Sequence, residues 1–382
     1  MAETTGISWT DATLNPWRGC SKIVPECANC YAATMSKRNP AVLGTWGSEG
    51  TRVVAAESYW KLPERWNKAA ERDGCQMRVF CCSLADVFED WTGPMISTSG
   101  KRLWCDRSDS QKWFEESEGY SFAECRPVTM RDVRERLFRL IDSTPNLTWQ
   151  ILTKRPENIR AMWPDTPVGV AERAAYRPFP SPDGFRKRYN LWLGTSAGCQ
   201  ETADRMIPSL LECGNLASVL FVSAEPMLGP VHLRTLNAID GRTINALTGQ
   251  VDGSSGQIIG ALSWVIGGGE SGPKARPIHP DWARSLRDQC EHHGTAFFWK
   301  QWGEWIPYEN WTAPFLKSQH KHIIDGHTLP VELDLLNPVG EWRYETFGPN
   351  DLEILLVRKV GVKKSGRMLD DRIYDQFPGG VK

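Results

Sequence analysis

An α/β fold, closed or partly closed around a largely parallel sheet, is predicted by three features of the sequence. Short continuous apolar runs recur along the chain, stretches with helical periodicity separate them, and each run ends in polar residues or glycine. Apolar residues on both faces of a run fit strands covered on both sides, as in a parallel sheet wrapped by helices. Repeated alternation of such strands with helices is the pattern of an α/β layer architecture.

The runs, in order, are Met77–Cys82, Trp149–Leu152, Leu191–Leu193, Val219–Val222, Trp264–Ile266 and Ala296–Trp299. Two intervening helices are legible. Arg131–Asp142 places Val133, Leu137 and Leu140 on one face, and Pro280–His292 does the same with Trp282, Leu286 and Cys290. After the strands come Ser83 to Asp86, Thr153 to Asn158, Gly194 to Ser196, Ser223 to Pro226, Gly267 to Gly272 and Lys300 to Gly303. Polar groups gathered at the carboxyl ends of successive strands mark the face that carries the site in βα barrels. Three stretches break the rhythm and read as insertions, at about 91–126, 169–189 and 232–260. Residues 1–305 then form the main domain and 306–382 a C-terminal extension.

The 382 residues carry a net charge of -1, so no global basic field draws the protein to nucleic acid or membrane. A polyanion would have to meet a local patch. No run approaches the roughly 20 apolar residues of a membrane span, and Ala2-Glu3-Thr4-Thr5 is no signal sequence. The expectation is a cytoplasmic protein (the host cytoplasm for a phage product) without membrane contact. Thiols stay reduced there, so the eleven cysteines point to ligands rather than disulfides. Among 18 tryptophans, Trp17, Trp91, Trp302 and Trp305 sit beside glycine, proline or polar residues, which suits loops or a binding cleft as well as irregular core filling.

The sharpest signal is Cys20, Cys27 and Cys30, a Cys-x6-Cys-x2-Cys spacing inside Asn15-Pro16-Trp17-Arg18-Gly19-Cys20 and Cys27-Ala28-Asn29-Cys30-Tyr31-Ala32. Three thiolates can hold three irons of a cubane cluster and leave the fourth iron open. A structural zinc normally takes four ligands, and Cys75 is the nearest fourth candidate in sequence. Unligated thiols are the third reading. In the cluster reading, Tyr31 packs its ring against the cluster.

With this motif the chain resembles the radical S-adenosylmethionine superfamily, in a variant with six residues between the first two cysteines. It is more closely similar to a phage-encoded family sharing Ser8-Trp9-Thr10-Asp11-Ala12-Thr13, Ile151 to Pro156, Leu191 to Ser196, Phe221 to Pro230, Trp264 to Pro277 and Phe297 to Gly303, in this order. The resemblance implies a partial (βα)6 TIM-like barrel with the cysteine loop after its first strand. It implies a 4Fe-4S cluster whose open iron is chelated by S-adenosylmethionine, and reductive cleavage to an adenosyl radical that abstracts hydrogen from the substrate. The superfamily's usual Gly-Gly-Glu after the second strand is absent here; Ser83 and Asp86 stand in its place as acceptors for the methionine ammonium.

Other roles follow from the same resemblance. Gly267, Gly268, Gly269 and Glu270 are expected near the adenine and methionine moieties, with a tight strand–helix turn as the competing use. Thr195, Ser196, Ser223 and Glu225 are candidates for ribose hydroxyls or substrate, and each also suits a purely structural hydrogen bond. Lys154, Arg155, Arg276 and Lys300 add cations for a carboxylate or phosphate, against solvated pairing with Glu157 or Glu304. Lys154, Glu225 and Lys300 are taken as the catalytic side chains. Cys81, Cys82, Cys105, Cys125, Cys199, Cys213 and Cys290 are scattered, and Cys290 falls on an apolar helix face. The phage-type resemblance further implies a modified nucleobase in DNA as substrate, foremost the conversion of N-linked to C-linked glycyl-thymidine, with flavodoxin or ferredoxin as electron donor. A radical enzyme acting on RNA, a DNA lesion or a small metabolite, and a non-catalytic zinc-bearing binding protein, are the alternatives.

Overall fold

The structure is a computed structural model that describes residues 5–116, 124–164, 185–253, 258–307, 323–324, 340–345 and 352–380. Seven strands form the main sheet: β1 (Ala12–Leu14), β2 (Met77–Cys81), β3 (Leu147–Thr153), β4 (Arg188–Ser196), β5 (Ala217–Ala224), β6 (Trp264–Gly268) and β7 (Ala296–Gln301). They are hydrogen-bonded in sequence order, β1 to β7, and run parallel. Val79 faces Trp149, Leu193 faces Ile151, and Ile266 faces Phe298 across the ladders. These central residues are buried, as their continuous apolarity requires.

The expected partial (βα)6 TIM-like barrel is not what forms. The sheet has seven strands rather than six, with β1 and β7 as its two ends, and no pairing among the described residues joins them. The periodicity argument misses β1 because it is only Ala12-Thr13-Leu14, too short and too polar to register as an apolar run. Nor does every strand lead into a helix. The connection from β5 to β6 contains a small antiparallel sheet of Leu236–Asn237, Thr243–Asn245 and Gln250–Val251. This sheet occupies the stretch read as the 232–260 insertion.

Helices α1 (Tyr31–Arg38), α2 (Leu62–Arg72), α3 (Met130–Asp142), α4 (Gln200–Leu211) and α5 (Pro280–His293) lie between the strands. A capping box starts α3: Asp132 N–H donates to the Thr129 hydroxyl, and the Thr129 N–H donates back to the Asp132 carboxylate at 2.8 Å. Val133, Leu137, Phe138 and Ile141 on its inner face are completely buried. In α5 the inner face is Ala283, Leu286 and Cys290. Trp282 is only partly buried and packs against Ala275, Trp305 and Val357.

The chain divides into two compact units. One comprises Met1–Thr195, Met206–Phe221 and Ile259–Ala261; the other comprises Ser196–Arg205, Val222–Ile258 and Leu262–Lys382. Within the first, part of the 91–126 stretch folds as Leu103–Asp106 between Trp113–Glu115 and Cys125–Pro127, an antiparallel trio. Most of the expected 169–189 insertion lies outside the described residues; Arg188 and Tyr189 already belong to β4. Within the second, the chain near its end runs antiparallel beside β7. Trp299 N–H donates to the Tyr374 carbonyl at 2.9 Å, and Asp375 bridges to Phe298. Covering an edge strand in this way satisfies backbone groups that would otherwise invite another chain.

Candidate functional site

The cysteine loop leaves the short strand Trp17–Arg18 and turns at Gly19, whose φ of +112° favours glycine. A Cβ there would also collide with the Thr51 carbonyl. Gly19 N–H donates to the Leu84 carbonyl at 3.0 Å, which docks the loop beside the segment following β2. Cys27 closes a 3-10 turn (Pro25–Cys27), and its carbonyl accepts from Cys30 N–H at 3.2 Å. Cys30 is the N-cap of α1. Tyr31 is half exposed and donates its hydroxyl to the Ser83 carbonyl at 3.0 Å.

Beneath Cys20 lies a buried charge network. Arg155 donates through Nη1 to Asp86 Oδ2 at 2.9 Å and to Cys20 Sγ at 3.7 Å. Its Nη2 donates to the Ser21 carbonyl at 3.0 Å and reaches Glu89 Oε1 at 3.5 Å. Glu89 in turn receives a fork from Arg52, Nε to Oε2 at 2.6 Å and Nη2 to Oε1 at 2.7 Å. Arg52 Nη2 also donates to the Ser21 hydroxyl, Ser21 N–H donates to Glu89, and the Arg52 guanidinium lies 3.9 Å from the centre of the Trp91 ring. Segments near residues 21, 52, 89 and 155 are thus tied together at one place.

Electrostatics follow from this packing. Burial pushes the Cys20 thiol up to about 12, with the Asp86 and Glu89 carboxylates adding to the shift and Arg155 opposing it. An unliganded Cys20 is therefore a neutral thiol at pH 7, and a metal must displace its proton. Burial works against the charge on Arg155, yet the Asp86 and Glu89 carboxylates hold the guanidinium above its ordinary value.

The residues expected to receive the methionine ammonium are engaged by the fold. Asp86 accepts from the Thr153 hydroxyl, the Phe88 and Lys154 backbone N–H groups, and Arg155. Ser83 exchanges hydrogen bonds with the Asn15 amide, whose Oδ1 also accepts from Leu84 N–H at 2.8 Å. Lys154 is half-buried beside this group. Thr195 is completely buried and donates its hydroxyl to the Thr153 carbonyl at 2.9 Å, stitching β4 to β3.

In the second unit a separate set of predicted residues comes together. Lys300 Nζ lies 3.1 Å from Glu225 Oε1, and the Ser223 hydroxyl donates to Glu225 Oε2 at 3.2 Å. Gly268 lets that carboxylate lie against the backbone, since a Cβ would stand 2.5 Å from Glu225 Oε1. Gly269 leaves room for the Trp302 carbonyl. Glu270 is buried and grips Arg276 in a fork, with Arg276 Nε to Oε2 at 2.9 Å and Nη2 to Oε1 at 2.6 Å. Gly267 faces the Trp299 ring, and Ser196 is buried.

The structure therefore joins Cys20 to Asp86, and Ser223, Glu225 and Gly268 to Lys300. Glu89, Arg52, Ser21 and Asn15 complete the first group and were missed as site residues. Asn15 lies inside the cysteine motif, which was a usable signal; Glu89 and Arg52 look like ordinary surface charges in sequence. The donor chemistry at the loop fits an iron–sulfur cluster: three thiols within residues 20–30, one on the N-cap residue of α1 and one beside a buried guanidinium. Among the described residues, Cys20, Cys27 and Cys30 included, no three Cys, His, Asp or Glu side chains are grouped so that they could hold a metal ion.

A family model described as "Protein of unknown function (DUF5131)" matches residues 4–97 and 104–378. No curated protein matches, and no solved structure matches. The match spans most of the chain, so this protein belongs to the DUF5131 family.

Proposed function

We propose that this chain holds a 4Fe-4S cluster on Cys20, Cys27 and Cys30 and works as a radical S-adenosylmethionine enzyme. The reading is carried by the Arg155 contact with Cys20: a buried guanidinium donates to the sulfur of the first motif cysteine while two carboxylates fix its orientation. When bound, the cluster supplies one electron to split the sulfonium of S-adenosylmethionine, and the adenosyl fragment abstracts hydrogen. The protein's own part is to hold and shield. The Tyr31 hydroxyl pins the start of α1 to the Ser83 carbonyl, and the Asn15 amide fixes the Ser83 segment. Gly19 sets the approach of Cys20.

Lys154, Glu225 and Lys300 are assigned to substrate. The Lys300 ammonium and Glu225 carboxylate stand ready to hold or move a proton, with Ser223 orienting the carboxylate. The assignment of Gly267 to Glu270, Thr195 and Ser196 to S-adenosylmethionine rests on the sequence resemblance alone. The substrate class, a modified thymine in DNA whose N-linked glycyl group migrates to carbon, rests on the sequence resemblance, as does a flavodoxin- or ferredoxin-type electron donor. No helix among the described residues is long and apolar enough to cross a membrane.

The test is anaerobic purification with iron and sulfide analysis, followed by incubation with reductant, S-adenosylmethionine and glycyl-thymine DNA. We expect a brown protein, loss of iron in Cys27→Ala, and 5'-deoxyadenosine formation that rises with this DNA. Wild-type protein free of iron and sulfide overturns the cluster. A loaded protein whose 5'-deoxyadenosine output ignores the DNA overturns the substrate.

A further inference from the structure

We infer that Arg155 is a positioning residue that sets the reduction potential of the cluster through an N–H···S hydrogen bond to Cys20. The inference rests on the cluster proposed above and adds the residue that controls its electron affinity. Four observations carry it.

First, the donor is committed. Each Nη of a guanidinium bears two hydrogens, and here Nη1 shares its pair between Asp86 Oδ2 at 2.9 Å and Cys20 Sγ at 3.7 Å. Nη2 divides its pair between the Ser21 carbonyl and Glu89. The planar fork therefore has few ways to turn without breaking several bonds at once.

Second, the support is buried. Side-chain exposures are 9% for Arg155, 6% for Asp86, 4% for Glu89 and 0% for Arg52. A donor fixed in a site of low dielectric acts more strongly on a nearby charge than one in water.

Third, the network is electrically balanced. Arg52 and Arg155 match Asp86 and Glu89 in formal charge, so Arg155 is not a surplus cation. What remains is local: a positive N–H directed at a ligating sulfur. Hydrogen bonds to the sulfurs are among the levers that set iron–sulfur potentials. A donor stabilises the more negative, reduced state, so its presence raises the potential.

Fourth, the same side chain holds the loop. Through the Ser21 carbonyl it fixes the residue after Cys20, and its own backbone N–H donates to the Thr153 hydroxyl at 2.9 Å at the end of β3. Sequence position alone, next to Pro156 after a strand, gives no hint of this double duty.

The experiment is spectroelectrochemical titration of anaerobic, cluster-loaded wild type, Arg155→Lys and Arg155→Gln, each normalised to iron and sulfide per chain. At fixed ambient potential, Arg155→Gln is expected to show a reduced-to-oxidised ratio lower by on the order of tenfold, about 59 mV for one electron. Arg155→Lys, which keeps the charge but lacks the fork, is expected between the two. A loaded Arg155→Gln with the wild-type potential overturns the inference. Should Arg155→Gln fail to fold or load, Arg155→Lys decides: a potential equal to wild type overturns the inference, and so does a folded Lys variant that takes up no cluster, because Arg155 would then serve assembly. Iron-free wild type would defeat the cluster itself and is recognised before any variant is measured.

Discussion

The two groups of strand-end charges are held in different ways. In the first unit, Arg52, Asp86, Glu89 and Arg155 come from four separate segments, are almost completely buried, and knit the cysteine loop to the ends of β2 and β3. In the second unit, Glu270 and Arg276 are six residues apart and close a local turn, while Lys300 and Glu225 form a pair with 26% and 13% of their side chains exposed. Buried charge that has lost its partner is expensive, whereas a partly solvated pair regains water when it opens. The first group therefore acts as a foundation, built once and kept closed. The second can open its Lys300–Glu225 contact for a ligand at little cost.

Substitutions can break that contrast, beginning with the largest effect. Glu89→Ala leaves the fully buried Arg52 without its carboxylate, and unfolding stability is expected to fall by about 3–5 kcal/mol in urea denaturation. A loss below about 1 kcal/mol would show that the network is no foundation. Gly269→Ala forces a methyl onto the Trp302 carbonyl, which belongs to backbone and yields little. Its expected cost is about 1–3 kcal/mol, read in the same way. Lys300→Met should move stability by no more than about 1 kcal/mol, because the lost pair is partly solvated. A larger change would place Lys300 with the foundation residues and remove its readiness to open.

The strands β2 to β7 were legible because a strand covered on both faces must be apolar at every position, and that leaves a mark in any window of sequence. The helix now seen at Met130–Asp142 was legible for a similar reason, since its inner face repeats with the helical period, and only its Thr129 cap lay outside the reading. Other features left no mark. Ala12–Leu14 is too short, and Trp282 shares the period of the α5 inner face but lies at its margin against Trp305. Glu89 pairs with a residue 37 positions away, and a single carboxylate in Phe88-Glu89-Asp90 carries no sign of where its partner will be.

By itself, then, the chain determined where six of the seven main-sheet strands lie, where the three thiols sit, and that glycine and polar groups follow those strands. These depend on local chemistry and short-range period, which a linear string preserves. Tertiary structure alone decided that the sheet runs through seven strands, with no pairing of its ends among the described residues, and that Arg155 lies against Cys20. Closure and long-range charge pairing depend on distances between segments far apart in the chain, and no local pattern encodes them.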